Sequence, residues 1–140
     1  MTSKAAATPS RKKASTIFKA AESFCSFSVN DLQKAKEFYG QTLGLDVNET
    51  PEGLDLRTDN NAVFLYPKPN HTPASFTVLN FQVDDIEEAI EELTSMGVTL
   101  EHYNLPDLKT DSRGIFRGRD HQIAWFKDPA GNILSVIEQQ

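Results

Sequence analysis

Polar and apolar residues alternate along two short stretches of the chain. In the first, Cys25, Phe27 and Val29 stand opposite Phe24, Ser26 and Ser28, and the same period of two returns from Val78 to Val83. Each stretch predicts a strand with two unlike faces. The period then lengthens: Leu32, Ala35, Phe38 and Tyr39 form one helical stripe, as do Ile86, Ala89, Ile90 and Leu93, which predicts helices over about 31–42 and 85–96. Asn30 or Asp31, and Asp84 or Asp85, offer side-chain acceptors to the free amides of the helix starts. Gly44 and Gly97 stand where a helix end often needs a positive φ.

These two segments are copies of one unit. Phe27/Phe81, Val29/Val83, Asp31/Asp85, Ala35/Ala89 and Glu37/Glu91 match at one constant offset, and Leu43-Gly44-Leu45 answers Met96-Gly97-Val98 after a slip of one residue. Short extended runs follow each helix, at 46–49, 54–57 and 62–67 in the first copy and at 99–103, 122–127 and 132–138 in the second. Turns at 51–53, 59–61 and 128–131 separate them. The class is therefore α+β, built from paired βαβββ modules. Module one spans 21–67 and module two 76–138 within a single domain over 21–140, joined by a proline-rich linker at 68–75.

Composition narrows the function. The 140 residues carry a net charge of −6, yet residues 1–20 hold five basic side chains and no acid, which leaves −11 on the remainder. An acidic body repels phosphate backbones, so nucleic acid is not an expected partner. The leader over 1–20 is expected to be disordered and basic, with little to bury. A single Cys25 allows no internal disulfide, and no apolar run approaches membrane-spanning length, so a cytoplasmic protein with no membrane partner is expected.

The stretches Phe27-Ser-Val-Asn-Asp-Leu-Gln-Lys-Ala-Lys-Glu-Phe-Tyr-Gly-Gln-Thr-Leu-Gly-Leu and Ile123-Ala-Trp-Phe-Lys-Asp-Pro-Ala-Gly-Asn-Ile-Leu resemble the vicinal oxygen chelate superfamily, which includes glyoxalase I, bleomycin-resistance proteins, extradiol dioxygenases and fosfomycin-modifying enzymes. The resemblance covers roughly residues 20–138. It implies that the modules form a curved, cup-like mixed sheet around a ligand site, frequently in a homodimer. It also implies that metal-using members place donors on the first and last strands of each module. Those positions fall on Phe24, near Phe64, on Val78 and near Ser135, a set that cannot chelate a divalent ion. No metal and no cofactor are expected.

The residues facing the cup should be Phe24, Ser26, Ser28, Phe64, Tyr66, Val78, Asn80, Gln82, Ile133, Ser135 and Trp125, a mixture of aromatic walls, hydroxyls and amides suited to a small organic ligand. The long polar stretch 104–120 carries Arg113, Arg117 and Arg119, which could receive an anionic group or could pair with Asp107, Asp111 and Asp120. The expected function is thus a metal-free, glyoxalase- and bleomycin-resistance-like protein that binds a small organic molecule. Two alternatives are a metal-dependent lyase, isomerase or dioxygenase of the glyoxalase I type, and a dimeric interaction module without a ligand. No catalytic residue is assigned.

Overall fold

The computed structural model describes residues 16–139. A one-turn helix α1 (Thr16–Ala20), exposed throughout, lies within the leader expected to be disordered, and residues 1–15 of that leader fall outside the described residues. Module one follows as β1 (Cys25–Val29), α2 (Leu32–Lys36), β2 (Asp46–Thr50), β3 (Gly53–Arg57) and β4 (Ala62–Pro67), in the sheet order β1-β4-β3-β2. Module two repeats the plan with β5 (Thr77–Gln82), α3 (Ile86–Ser95), a small β6–β7 hairpin (Asn104–Leu105 and Leu108–Lys109), β8 (Ile115–Arg117), β9 (His121–Lys127) and β10 (Ile133–Gln139). Its sheet order is β5-β10-β9-β8. In each sheet the first and last strands run parallel and the remaining pairs antiparallel.

The predicted caps resolve to Asp31, which accepts from the Lys34 amide, and Asp85, which accepts from the amides of Glu87 and Glu88. Gly44 and Gly97 do adopt left-handed φ values of 76° and 88°. Two expectations need correction. The run 99–103 is extended but no strand, touching β9 only through the Glu101 amide on the Trp125 carbonyl. Its place at the sheet edge belongs to β8, inside the stretch expected to lack structure. The first predicted helix is also not uniform, because α2 passes at Glu37–Thr42 into a π-helical turn, with the Leu43 amide reaching the carbonyl of Phe38.

One face of each sheet packs on its helix. Val29, Leu54, Leu56, Val63 and Leu65 meet Ala35 and Tyr39 in module one, while Ala124, Phe126, Leu134 and Val136 meet Ile86, Ile90 and Leu93 in module two. The modules join through these helix-side faces. Phe38 lies 6.4 Å from Phe126, and Leu43 and Leu45 share a groove with Phe81, Leu93 and Val136. The opposite sheet faces are left to solvent on each half.

A buried carboxylate ties the halves together. Asp128, 5% exposed, accepts from the Tyr39 hydroxyl at 2.7 Å and the Asn132 amide at 2.9 Å on one oxygen, and from the backbone amides of Ala130 and Asn132 on the other. The second Asn132 amide proton reaches the Ser28 carbonyl at 3.0 Å. Burial first, and then the neighbouring Asp128 charge and hydrogen bond, push the ionisation of Tyr39 far above its ordinary value.

Removing the Tyr39 hydroxyl with Tyr39→Phe should cost about 1–2 kcal/mol, and Asp128→Ala, which orphans four donors, about 3 kcal/mol or more. Urea unfolding measures both. Because the folded-state value of Tyr39 is raised, its contribution to stability is complete below the ordinary tyrosine value of 10.0 and falls as pH rises past it. The wild type should therefore lose stability more steeply than Tyr39→Phe above that pH, and parallel slopes would contradict the assignment.

Candidate functional site

Alternation in β1 and β4 places Ser26, Ser28, Phe64 and Tyr66 together on the open face of the first sheet, with Ser26 beside Phe64 and Ser28 beside Tyr66 in register. On the second sheet Asn80 and Gln82 project to solvent from β5, and Trp125 is half-buried on β9. Several residues of the expected cup stand elsewhere. Phe24 precedes β1 and is 67% exposed. Val78 packs against the core, because the β5–β10 register skips a residue between Thr77 and Leu79 and breaks the alternation there. Ser135 is wholly buried and donates to the Asn80 side-chain oxygen at 2.5 Å, so it orients Asn80 and is closed to a ligand in this chain. Half-buried Ile133 sits at that register break.

The two open faces do not enclose one cavity within the chain. Asn80 and Gln82 rim a cleft of about 430 Å³ whose other walls are Leu45, Leu56, Val63, Leu79, Phe81 and the turn at 58–61, on the helix side of the sheets. Ser26, Ser28, Phe64 and Tyr66 take no part in it. Trp125 is held by its indole N–H on the Thr77 hydroxyl at 3.1 Å and by an edge-on contact with Tyr103, ring centres 5.4 Å apart.

The arginine-rich stretch is largely self-neutralised. Arg113 meets Glu87 at 2.8 Å, and Arg117 meets Asp111 at 3.1 Å and also binds Gln122. Partial burial raises the Asp111 ionisation, but the amides of Ile115 and Arg113 and the guanidinium of Arg117 outweigh it and hold the carboxyl below its usual range. Arg117 is thereby committed to protein partners, which corrects its expected place in the ligand site.

A polar chain that the sequence does not announce lies at the end of β1. The Ser28 hydroxyl and His71 Nδ1 are 2.6 Å apart, and His71 Nε2 is 3.1 Å from the Ala130 carbonyl oxygen. Ser28 and His71 lie 43 positions apart across a linker, and neither belongs to a recognisable spacing, so no local signal marks the pair.

The chelating positions that the resemblance implies hold Phe24, Phe64, Val78 and Ser135, and the serine is already hydrogen-bonded. Among the described residues no group of three or more His, Cys, Asp or Glu side chains converges to hold a metal ion. The donor set does not fit a divalent metal. Zinc, nickel or manganese titrated into the purified chain should leave its melting temperature unchanged, and a rise that saturates at one ion per chain would refute this reading.

Comparison with known proteins agrees with the architecture. A glyoxalase family protein from Enterococcus faecalis is 24% identical, with 87% of this chain and 100% of that chain covered and a TM-score of 0.64. TnmS3, an antibiotic binding protein from Streptomyces sp. CB03234, is 25% identical, with 86% and 98% covered and a TM-score of 0.57. The fosfomycin resistance protein FosX from Mesorhizobium loti shares 12% identity, with 86% and 93% covered and a TM-score of 0.60. No curated protein matches. The family model of the Glyoxalase/Bleomycin resistance protein/Dioxygenase superfamily matches residues 23–136, the span that holds both βαβββ modules. With that match joined to the repeated topology, the chain belongs to the Glyoxalase/Bleomycin resistance protein/Dioxygenase superfamily.

Proposed function

We propose that this protein binds a small organic molecule on the open sheet faces, in a cup completed by a second copy of the chain. The observation that carries the reading is the pair of solvent-facing amides on β5, beside a free strand edge. The amide nitrogen of Asn80 and the whole side chain of Gln82 make no hydrogen bond among the described residues, while the oxygen of Asn80 is fixed by Ser135. An amide locked at one end and open at the other is a ready donor for a ligand carbonyl or hydroxyl.

The second copy follows from the edges. β1 and β5 each pair on one side only, leaving two stretches of unsatisfied backbone without a proline or a charge to guard them. Joining β1 of one copy to β5 of the other satisfies both rows and brings the Ser26, Phe64 and Tyr66 face opposite the Asn80 and Gln82 face. The aromatic rings of Phe64 and Tyr66 then supply a stacking wall and β5 the polar contacts. The antibiotic binding described for TnmS3 supports this choice of ligand class. A ligand-free dimer is the second reading, favoured by the Ser135 bond that already satisfies half of Asn80.

A thermal-shift screen of aromatic antibiotics, catechols and 2-oxoaldehyde–thiol adducts should yield at least one stabilising compound. Asn80→Ala and Gln82→Ala should each weaken that compound by about fivefold, the worth of roughly 1 kcal/mol of hydrogen bonding, with the fold retained. Light scattering should give twice the 15.6 kDa chain mass. Unchanged affinity in both variants would refute the site, and a monomer that still binds would refute the shared cup.

A further inference from the structure

We propose that Ser28 is an acyl-accepting nucleophile, with His71 as its general base and the Ala130 carbonyl as the group that orients the imidazole. The argument is independent of the ligand-binding reading. A backbone carbonyl can only accept, so the 3.1 Å contact at His71 Nε2 requires the proton of the neutral ring to sit on that nitrogen. Nδ1 then carries the lone pair. Its neighbour at 2.6 Å is the Ser28 hydroxyl, which must be the donor in that bond. A hydroxyl pointing its proton at an imidazole whose far nitrogen is fixed by a third group has the nucleophile, base and orienter relation of serine acyl-transfer sites.

The surroundings hold this arrangement firmly. The turn at 128–131 supplies the Ala130 carbonyl, and the residue after it, Asn132, grips the backbone carbonyl of Ser28 at 3.0 Å while being itself fixed by Asp128. Pro73 packs on the same turn, where a Cβ added at Gly131 would come within 3.2 Å of the proline ring. Nucleophile and base are thus referred to one rigid support, although they come from a strand and a linker. Ser28 keeps part of its surface on the open sheet face, next to Tyr66.

The substrate class follows from what the orienter is. A neutral carbonyl stabilises an imidazolium less than a carboxylate does, so the site suits acyl groups with good leaving groups, and the Phe64 and Tyr66 rings favour an aryl one. Aryl esters of small carboxylic acids meet both conditions. Ser28 Oγ bonds to the acyl carbon as its proton passes to His71 Nδ1. The carbon–aryloxide bond then breaks, and the proton moves from Nδ1 to the leaving oxygen to give the phenol. Water adds to the acyl-serine with its proton taken by Nδ1, the ester bond to Ser28 breaks, and that proton returns to Oγ as the carboxylic acid departs.

The probe is 4-nitrophenyl acetate, applied to the full chain, with nitrophenol release followed by absorbance and the acid-quenched protein mapped by peptide mass spectrometry. The expected result is an acetyl group on Ser28, lost in Ser28→Ala. His71→Asn, which retains a hydrogen-bonding side chain but no base of comparable strength, should slow acylation of Ser28 by about a hundredfold with little change in melting temperature. Acetylation confined to lysines or the N-terminus of the wild-type protein would overturn the proposal whatever the variants do. So would Ser28 labelling that proceeds equally fast in a folded His71→Asn variant.

Discussion

A carboxylate withdrawn from water has to be met by donors, and the donors that meet Asp128 come from separate parts of the chain: a tyrosine on the first module, an asparagine at the start of the last strand and the backbone of the turn between them. Because those parts belong to different modules, satisfying one charge fixes how the two halves sit. Hydrophobic contact between Phe38 and Phe126 is compatible with many small slides and rotations, whereas four directed hydrogen bonds to one group are not. The same network reaches the carbonyl of Ser28 through Asn132, so the geometry of the open face on β1 depends on it as well.

The repeated architecture was legible because each module repeats the same physical solution. A period of two gives way to a helical period, an aspartate caps the helix and a glycine ends it, and the pattern recurs at a constant spacing. What escaped the pattern is where tertiary context decides. β8 is three residues long and surrounded by arginine, glycine and aspartate, so its strand character comes from pairing with β9 and not from its own propensity. The bulge that turns Val78 inward lies between Thr77 and Leu79, with no glycine to mark it. The run 99–103 has an acceptable strand composition, but it reaches β9 through a single bond.

Much the same division holds for the site. Face assignments by alternation place Ser26, Ser28, Phe64, Tyr66, Asn80 and Gln82 correctly relative to the sheets, since pleating is local. They could not reveal that the faces look outward on separate halves, which depends on which sides of the sheets pack together. Nor could spacing find the contact of His71 with Ser28, made by a linker that folds back over a turn from the other module. Residue type alone was enough to identify greasy side chains at the chelating positions, because chelation is a matter of lone pairs before it is one of geometry.

The π-helical turn at Glu37–Thr42 bears on how this chain can vary in length. An α-helix advances about 100° per residue, so losing one residue from that turn would restore regular winding and swing everything on one side of it by that angle. Tyr39 sits inside the turn and Leu43 and Leu45 follow it directly, so either the phenol or the apolar pair would be carried off its partner on the other module. Amino-acid exchanges on the exposed side of the turn leave that phase untouched. Among homologous chains that keep the Tyr–Asp contact, the count of residues here should be held more strictly than their identity.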